Sequence, residues 1–424
     1  MNLQQRDKAV IWHPFTPLRP APEPIPIVKG EGTLLVDEAG NQYIDAVSSW
    51  WVNLHGHAHP YIAEKIYQQA LTLEQVIFAG FTHRPAVELA ERLLPLLPGP
   101  FSKIFYSDNG STSTEVALKM ALQYWWNRGG GSKLKILAFN NAYHGDTFGS
   151  MSVSDRSVFT KAFHELLFDV VFIDTPEPGN IAQSKAIIAE NGPGIAAFIY
   201  EPLVQGAGGM KMYGPGLMDE LLAFVKAQGI LCIADEVMTG FYRTGKLFAS
   251  EWLQQKPDII CLSKGLTGGT MALGVTAVTQ PVIDAFTTDD AMKTFFHGHS
   301  FTANPLACTA ALASLDLLEK PGCLRQITAI VEQNNAFVEE LRASPTGIPV
   351  KNIRQLGTIV AFEIDKGKDE YLNTISAGIT QQALKAGVYL RPLGNTVYIM
   401  PPYCIDRDQL SQVYEVIKKA ILCN

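Results

Sequence analysis

Two charged residues of this 424-residue chain each follow an apolar segment and could do chemistry together. Asp235 comes after the apolar run 230–234, and Lys264 comes soon after the apolar run 259–262. Short apolar runs bounded by glycine, lysine or proline predict buried strands of a parallel sheet. Open α/β sheets bind ligands at the carboxyl ends of their strands. We therefore expect a carboxylate and an amine to meet at one ligand site.

One cofactor needs this pair of groups. Pyridoxal phosphate requires a lysine amine for covalent attachment, and it requires an acid that keeps its pyridine nitrogen protonated so that the ring accepts electrons. Lys264 and Asp235 fit these roles. The alternative is that Asp235 caps a helix or turn and Lys264 is a solvated loop residue, because charged residues usually lie at the surface. Their contexts, Ile-Ala-Asp-Glu-Val and Ser-Lys-Gly-Leu-Thr-Gly-Gly, favour the cofactor site.

Composition and charge argue against several other classes of protein. The chain has 47% hydrophobic and 18% charged residues, which is typical of a soluble globular enzyme, and its length suits two domains. A net charge of −7 without a dense basic run argues against a nucleic-acid surface. The polar N-terminal segment and the lack of an apolar run of ~20 residues predict a cytoplasmic protein without a signal peptide or membrane span.

Cysteine and histidine spacing gives no metal site. Three histidines at alternate positions, His55, His57 and His59, lie in a glycine-containing loop, where they cannot form a helical ligand pair. The cysteines form no CxxC pair, which predicts reduced core thiols rather than disulfides or zinc ligands. They are Cys232, Cys261, Cys308, Cys323, Cys404 and Cys423.

A turn of small residues offers an anchor for a phosphate. The strand-like segment KIFYSD is followed by Gly110 and Ser111, which open an amphipathic helix that runs to about Trp126. Thr112 and Glu115 match a capping box. Free amides and the dipole at a helix N-terminus attract anions. Most such turns only cap a helix, but a cofactor with a phosphate needs an anchor of this kind.

Other elements are predicted from prolines and periodicity. The segment PFTPLRPAPEPIP excludes regular helix from residues 1–30 and predicts an extended arm. Residues 33–37 and 43–47 are expected to form a hairpin, and residues 388–391 and 397–400 to form neighbouring strands. The remaining predictions are helical structure over 61–97 with a second helix beginning at Pro85, strands from 135 and over 196–200, and helices over 215–228 and 305–318.

The segments ADEVMTGFYRTGK and PDIICLSKGLTGG resemble the class III aminotransferases of the type I pyridoxal phosphate fold. The resemblance extends from IWHPFTP to YIMPPY, which is nearly the whole chain. It implies an α/β fold with a large, mostly parallel-sheet domain over 56–318. A smaller α+β domain would comprise 319–424, with the N-terminal arm and hairpin of 1–55 as part of it. The resemblance also implies a homodimer with shared active sites.

The resemblance assigns roles to individual residues, with Lys264, Asp235 and Tyr143 as the catalytic set. Tyr143 would cover the cofactor face, although a core tyrosine is the alternative, and Glu201 and Gln205 would lie near the cofactor. The expected cofactor-binding residues are Gly110, Ser111, Tyr143, Asp235, Lys264, His299 and Ser300, of which Ser300 would reach the phosphate of the neighbouring subunit. The expected substrate-binding residues are Phe15, Trp50, Trp51, Tyr143, Lys264, Gly298 and Arg391, of which Arg391 would bind a carboxylate. We also expect Asp146 to orient Arg243.

Within the family, the motifs Ile-Trp-His-Pro, Ser-Ser-Trp-Trp and Tyr-Ile-Met-Pro-Pro resemble the branch that serves biotin synthesis. This implies 8-amino-7-oxononanoate as amino acceptor and S-adenosylmethionine as donor. That branch usually carries a tyrosine where this chain has Phe15, so lysine is an alternative donor. Two other readings stay open: an ω-aminotransferase acting on ornithine, 4-aminobutyrate or a diamine, and a non-catalytic cofactor-binding protein.

Overall fold

The computed structural model describes residues 1–343, 350–364 and 374–422. Within them the strands form sheets of seven, four, three and two members. The strands are β1 (Ile27–Glu31), β2 (Leu34–Asp37), β3 (Gln42–Asp45), β4 (Phe101–Ser107), β5 (Lys135–Phe139), β6 (Val170–Ile173), β7 (Ile195–Tyr200), β8 (Val204–Gln205), β9 (Lys211–Met212), β10 (Leu231–Asp235), β11 (Ile259–Leu262), β12 (Gly274–Thr279), β13 (Val350–Leu356), β14 (Ile359–Ile364), β15 (Val388–Tyr389) and β16 (Thr396–Ile399).

Thirteen α-helices occur in the same described ranges. They are α1 (Leu3–Val10), α2 (Ser48–Trp51), α3 (Pro60–Thr72), α4 (Arg84–Leu93), α5 (Gly110–Asn127), α6 (Phe148–Ser152), α7 (Ile181–Asn191), α8 (Pro215–Ala227), α9 (Gln280–Asp284), α10 (Pro305–Leu318), α11 (Pro321–Ala343), α12 (Thr374–Lys385) and α13 (Arg407–Leu422). Pro85 lies in the first turn of α4, as predicted. The predicted helices over 215–228 and 305–318 are α8 and α10.

The seven-stranded sheet has the order β4-β12-β11-β10-β7-β5-β6. Its strands run parallel except for β12, which is antiparallel to both of its neighbours. Every residue of β7, β10 and β11 is buried, which explains why these strands are continuous apolar runs rather than alternating patterns. The predicted mostly parallel sheet is confirmed.

The sheet brings the polar residues that follow its strands to one edge. The two apolar runs that flank the predicted acid and amine are β10 and β11, which pair directly, with Asp235 opposite Cys261. Because β12 is antiparallel to β4 and β11, β4 also ends at this edge. The start of α5 and the loop after β5 therefore lie at the same edge as Asp235 and Lys264.

The smaller sheets confirm one strand pairing and contradict another. The predicted hairpin is β2 and β3, with Leu34 opposite Ile44. The prediction that residues 388–391 and 397–400 are neighbouring strands is wrong, because β15 pairs with β3 and β16 pairs with β14. Strands β15 and β16 are edge strands of two different sheets, so the turn between them joins these sheets. The domain boundaries after residues 55 and 318 stay a prediction.

Two local predictions near helix starts are wrong. Residues 1–30 do contain a helix, α1, because the prolines begin only at Pro14, and the side chain of Asn2 caps its first turn. The capping box of α5 is formed by Asn109 and Thr112, not by Thr112 and Glu115. Asparagine is among the best N-cap residues, so the helix begins one turn earlier than the Thr-Glu pair suggests.

Cys232, Cys261, Cys308, Cys323 and Cys404 have free thiols, whereas Cys423 lies outside the described residues. Histidines of the alternating set have protein partners: His55 Nε2 is 2.9 Å from Ser314 Oγ, and His57 Nε2 is 2.9 Å from Asp45 Oδ2. Among the described residues, no three metal-ligating side chains form a group that could hold an ion. No helix in that part of the chain is both long and apolar enough to span a bilayer.

Candidate active site

A cavity of about 760 Å³ lies at the carboxyl edge of the seven-stranded sheet. It brings together many of the predicted site residues: Phe15, Trp50, Trp51, Gly110, Ser111, Tyr143 and Lys264. Asp235 lies next to the cavity wall, in contact with the wall residue His144. Gly298, His299, Ser300 and Arg391 are not part of the lining.

Lys264 provides a buried amine in a strained backbone position. It begins a short 3₁₀ turn after β11, and its φ of +44° lies in the left-handed region that favours glycine. Its Nζ lies 4.8 Å from the centre of the Trp51 ring. Burial lowers the pKa of Lys264, although the carboxylates of Asp235 and Glu201 act in the opposite direction. A lowered pKa increases the fraction of neutral amine, which is the nucleophilic form.

Asp235 is held by the side chain of His144. Asp235 Oδ2 lies 2.7 Å from His144 Nδ1, and Asp235 Oδ1 accepts a hydrogen bond of 3.0 Å from the Val237 amide. His144 Nε2 is buried and has no hydrogen-bond partner among the described residues. The sequence analysis assigned no role to His144, because nothing in the sequence indicates that the ring of this loop histidine contacts Asp235.

Glu201 provides a second buried acid at the end of β7. Its carboxylate accepts hydrogen bonds from the Tyr143 amide, at 3.1 Å, and the Gly206 amide, at 2.8 Å. Burial raises the pKa of Glu201 to about 7, with His144 lowering it and Asp235 raising it further. The site therefore holds two carboxyl groups, Glu201 and Asp235, in different hydrogen-bonding environments.

The start of α5 forms a tight, positively polarised corner of the cavity. A Cβ on Gly110 would lie 2.7 Å from Val237 Cγ1, so a side chain there would require the valine to move. Gly145 has a φ of +130°, and a Cβ there would lie 2.2 Å from Ser111 Oγ. Ser111 Oγ accepts a hydrogen bond of 3.1 Å from the Asp146 amide. The helix start thus offers amides for an anion in close contact with the loop that carries Tyr143.

Aromatic residues form another part of the cavity wall. The Phe15 ring is 5.5 Å from the Trp50 ring and 6.0 Å from the Phe159 ring, both in edge-on geometry. The Arg391 guanidinium lies 3.9 Å from the centre of the Trp50 ring, although Arg391 does not line the cavity. Trp51 donates a hydrogen bond of 2.8 Å to the Tyr398 hydroxyl. Phe159 was missed because its segment shows no periodicity or motif.

Arg243 is not the partner of Asp146, so that prediction is wrong. Arg243 is 1% exposed, and it donates hydrogen bonds of 2.9 Å to the carbonyl oxygens of Pro401 and Asn53. Its guanidinium also lies 5.1 Å from the centre of the Tyr403 ring. An arginine in a basic loop gives no indication that backbone carbonyls will enclose it. Burial raises the pKa of Tyr143, and Asp146, which interacts with the Tyr143 hydroxyl, raises it further.

Other predicted residues lie outside the cavity lining. His299 Nε2 is 4.0 Å from Asp108 Oδ1, and the Ser300 carbonyl accepts a hydrogen bond of 2.5 Å from Gln75. Gln205 is buried, and it donates a hydrogen bond of 2.8 Å to the Asn140 carbonyl. The cofactor roles of these residues stay predictions.

A mostly parallel sheet that presents a buried lysine, an aspartate and a helix N-terminus at one edge is typical of an enzyme of the type I pyridoxal phosphate fold. The chain belongs to the class III aminotransferase family, whose model, described as "Aminotransferase class-III", matches residues 18–421. Membership of this family confirms the predicted fold, enzyme class and cofactor.

Similar proteins support this assignment over the full length. The chain is 47% identical to the adenosylmethionine-8-amino-7-oxononanoate aminotransferase of Synechococcus elongatus, covering 96% of this chain and 97% of that protein. It is similar to the solved structure of the protein of that name from Methanocaldococcus jannaschii, with a TM-score of 0.93, 34% identity and 98% of each chain covered. It is also similar to an omega transaminase from Pseudomonas jessenii solved in complex with PMP, with a TM-score of 0.92, 27% identity, and 99% and 97% covered.

The residues at the site fit pyridoxal 5′-phosphate. Gly110 and Ser111 line the cavity at the N-terminus of α5, where backbone amides and the Ser111 hydroxyl suit a phosphate. Asp235 offers a carboxylate to a ring nitrogen, and Tyr143 offers an aromatic face. Lys264 offers the buried amine that an aldehyde requires.

The raised pKa of Glu201 predicts a pH-dependent stability of the cofactor-free protein. With a pKa of about 7 in the folded state and 4.5 ordinarily, the folded chain holds this proton more tightly than the unfolded chain. Its stabilising contribution is complete below pH 4.5 and is lost as the pH rises through about 7. Relative to Glu201→Gln, which cannot titrate, the wild type is expected to lose roughly 3 kcal/mol between pH 4.5 and pH 8. Urea unfolding at both pH values measures this difference.

Glu190→Gln, a change at an exposed helical position, serves as the control and is expected to follow the wild-type pH profile. Parallel profiles for the wild type and Glu201→Gln would contradict the raised pKa.

Proposed function

We propose that this protein transfers an amino group to 8-amino-7-oxononanoate, yielding 7,8-diaminononanoate for biotin synthesis, with S-adenosylmethionine as the default donor. The observation that carries the proposal is the lining of the cavity, which combines the buried amine of Lys264 with the packed rings of Phe15, Trp50 and Phe159. The acceptor has a ketone near one end, a carboxylate at the other and a hydrocarbon chain between them. Arg391, stacked on Trp50, suits the carboxylate.

Each site residue has a task in this reaction. The cofactor supplies an electron sink that stabilises negative charge on the substrate carbon. Lys264 Nζ removes the proton from the donor carbon that bears the amine, and it returns a proton to the acceptor carbon in the second half of the reaction. The carboxylate of Asp235 would hold the ring nitrogen of the cofactor in its protonated form, and His144 holds that carboxylate in place. The aromatic wall excludes water from the hydrocarbon chain.

The half-reaction with each substrate tests the proposal. Purified protein is expected to be yellow, and the donor is expected to bleach the absorbance band, which 8-amino-7-oxononanoate then restores. S-adenosylmethionine and lysine are compared as donors, because Phe15 lacks the hydroxyl of the tyrosine usual in this branch. Silence with both donors, together with turnover of ornithine, 4-aminobutyrate or a diamine, would favour the ω-aminotransferase alternative. A colourless protein with no pyridoxal content would overturn the enzyme reading.

Arg391→Ala is expected to raise the KM for 8-amino-7-oxononanoate by roughly 10-fold to 100-fold, because a charge-assisted hydrogen bond contributes about 1.5–3 kcal/mol. The kcat is expected to change by less than about threefold, since Arg391 is remote from the reacting carbon in this proposal. Steady-state kinetics at varied acceptor concentration measures both constants. Arg84→Ala, at an exposed arginine, is the control. A lowered kcat with an unchanged KM would contradict the assigned role.

We further propose a homodimer with shared active sites. The loop of Gly298, His299 and Ser300 is flanked by the exposed rings of Phe296, 72% accessible, and Phe301, 63% accessible. Contact with a second subunit would cover these rings and bring Ser300 toward the partner's phosphate anchor. Light scattering on the purified protein tests this, and a monomer with full activity would exclude it. A cytoplasmic location, which fits a biosynthetic role, is tested by cell fractionation.

A further inference from the structure

The start of α5 and the loop after β5 are joined by a compact group of hydroxyl and carboxylate contacts. We define the hydroxyl cluster as Ser111, Thr114, Thr147 and Ser150, with Glu115 at its edge. Glu115 Oε2 accepts hydrogen bonds from Thr147 Oγ1, at 2.5 Å, and from the Ser150 amide, at 3.0 Å. Ser150 Oγ lies 2.8 Å from the Ser111 carbonyl and 2.6 Å from Thr114 Oγ1.

The cluster connects the start of α5 to the residue that holds Asp235. Thr114 Oγ1 donates to the His144 carbonyl at 2.8 Å, and Ser154 Oγ accepts from the His144 amide at 2.9 Å. Both contacts fix the backbone of His144, whose ring holds Asp235. Because Ser111 Oγ also accepts a hydrogen bond from the Asp146 amide, the start of α5 contacts the loop on both sides of Gly145.

We propose that Glu115 is a positioning residue that sets the spacing between the phosphate anchor at Gly110 and Ser111 and the ring-nitrogen acid Asp235. Glu115 accepts hydrogen bonds from the Thr147 hydroxyl and from the Ser150 amide of α6, and it thereby orients both groups. The fit is close, because a Cβ on Gly149 would lie 2.3 Å from Glu115 Oε1. The proposal rests on cofactor use by this family.

Charge alone predicts the opposite effect of Glu115 on cofactor binding. A carboxylate near a phosphate anchor repels the phosphate, so removing its charge would tighten binding if electrostatics were its only influence. If Glu115 sets the spacing, its removal weakens binding of a ligand that must reach both ends of the site. A ligand that reaches only the ring end is then little affected. Pyridoxal, which lacks the phosphate, is such a ligand.

Equilibrium binding of pyridoxal 5′-phosphate and of pyridoxal to cofactor-free protein tests the proposal. Glu115→Ala is expected to raise the dissociation constant for pyridoxal 5′-phosphate by roughly 10-fold to 100-fold, and that for pyridoxal by less than about threefold. Thr147→Val removes one hydroxyl without a charge change, and it is expected to shift the ratio of the two constants in the same direction. Glu115→Gln, which retains an acceptor oxygen, is expected to lie between the wild type and Glu115→Ala.

The controls separate this role from folding and from cofactor use itself. Glu190→Ala is expected to bind both ligands as the wild type does. A borohydride-stable adduct on the wild type establishes cofactor binding independently of Glu115. If Glu115→Ala does not fold, as judged by circular dichroism, the ratio for Thr147→Val decides. An unchanged ratio in the folded variants, or tighter phosphate binding by Glu115→Gln, would overturn the proposal.

Discussion

Lys264→Ala is expected to abolish covalent attachment of the cofactor and to lower kcat by at least about 10³-fold, because one side chain provides both the attaching amine and the proton-transferring base. Burial lowers the pKa of this amine. A solvated lysine elsewhere lacks both this environment and this position, so it cannot replace Lys264. Borohydride reduction followed by mass spectrometry measures attachment, and single-turnover kinetics measures the chemical step. The variant is expected to fold, because alanine leaves the 3₁₀ turn intact.

The control for this variant is Lys103→Ala, which changes an exposed lysine on β4 of the same sheet. It is expected to retain the adduct and the wild-type rate. A stable adduct on Lys264→Ala, or more than one-tenth of the wild-type kcat, would show that another amine attaches the cofactor or transfers the proton.

Asp235→Asn is expected to lower kcat by roughly 10³-fold, by analogy with the loss seen when one strong electrostatic group is removed from an active site. Asparagine has nearly the same shape but no charge, so it cannot favour a protonated ring nitrogen. The His144 ring, 2.7 Å away, would also lose its charged partner. The two half-reactions, followed by the absorbance of the cofactor, are both expected to slow.

A matched control lies at the opposite edge of the sheet. Asp258 is a half-buried aspartate just before β11, and its carboxylate accepts a hydrogen bond of 2.8 Å from the Cys232 amide. Asp258→Asn keeps an acceptor oxygen and is expected to leave kcat within about threefold of the wild type. Equal losses for both variants would mean that buried charge, rather than its place at the carboxyl edge, explains the effect.

Much of the central fold could be predicted because its elements are specified locally. The strand over 259–262 and the helix over 305–318 have the predicted bounds, the first because its apolar run has polar ends and the second because Asn304 and Pro305 mark its start. Parallel strands end at one edge, so Asp235 and Lys264 were expected near each other without knowledge of the strand order.

The features that could not be predicted depend on tertiary contacts. Nothing in the turn between β15 and β16 shows that its two strands join separate sheets. Arg243 is enclosed by carbonyls that come from residues 53 and 401, which lie far apart in the chain. Phe159 lines the cavity beside Phe15, which comes from the distant N-terminal arm. The interaction of His144 with Asp235 likewise spans 91 residues of sequence.

The left-handed backbone at position 264 has a consequence for how this site can change over evolutionary time. A non-glycine residue there costs on the order of 1–2 kcal/mol, which a glycine would relieve. Selection for a durable fold alone would therefore favour glycine at the one position where catalysis requires an amine. In a lineage that no longer needed the reaction, replacement of Lys264 by glycine would be expected to raise the thermal stability of the protein.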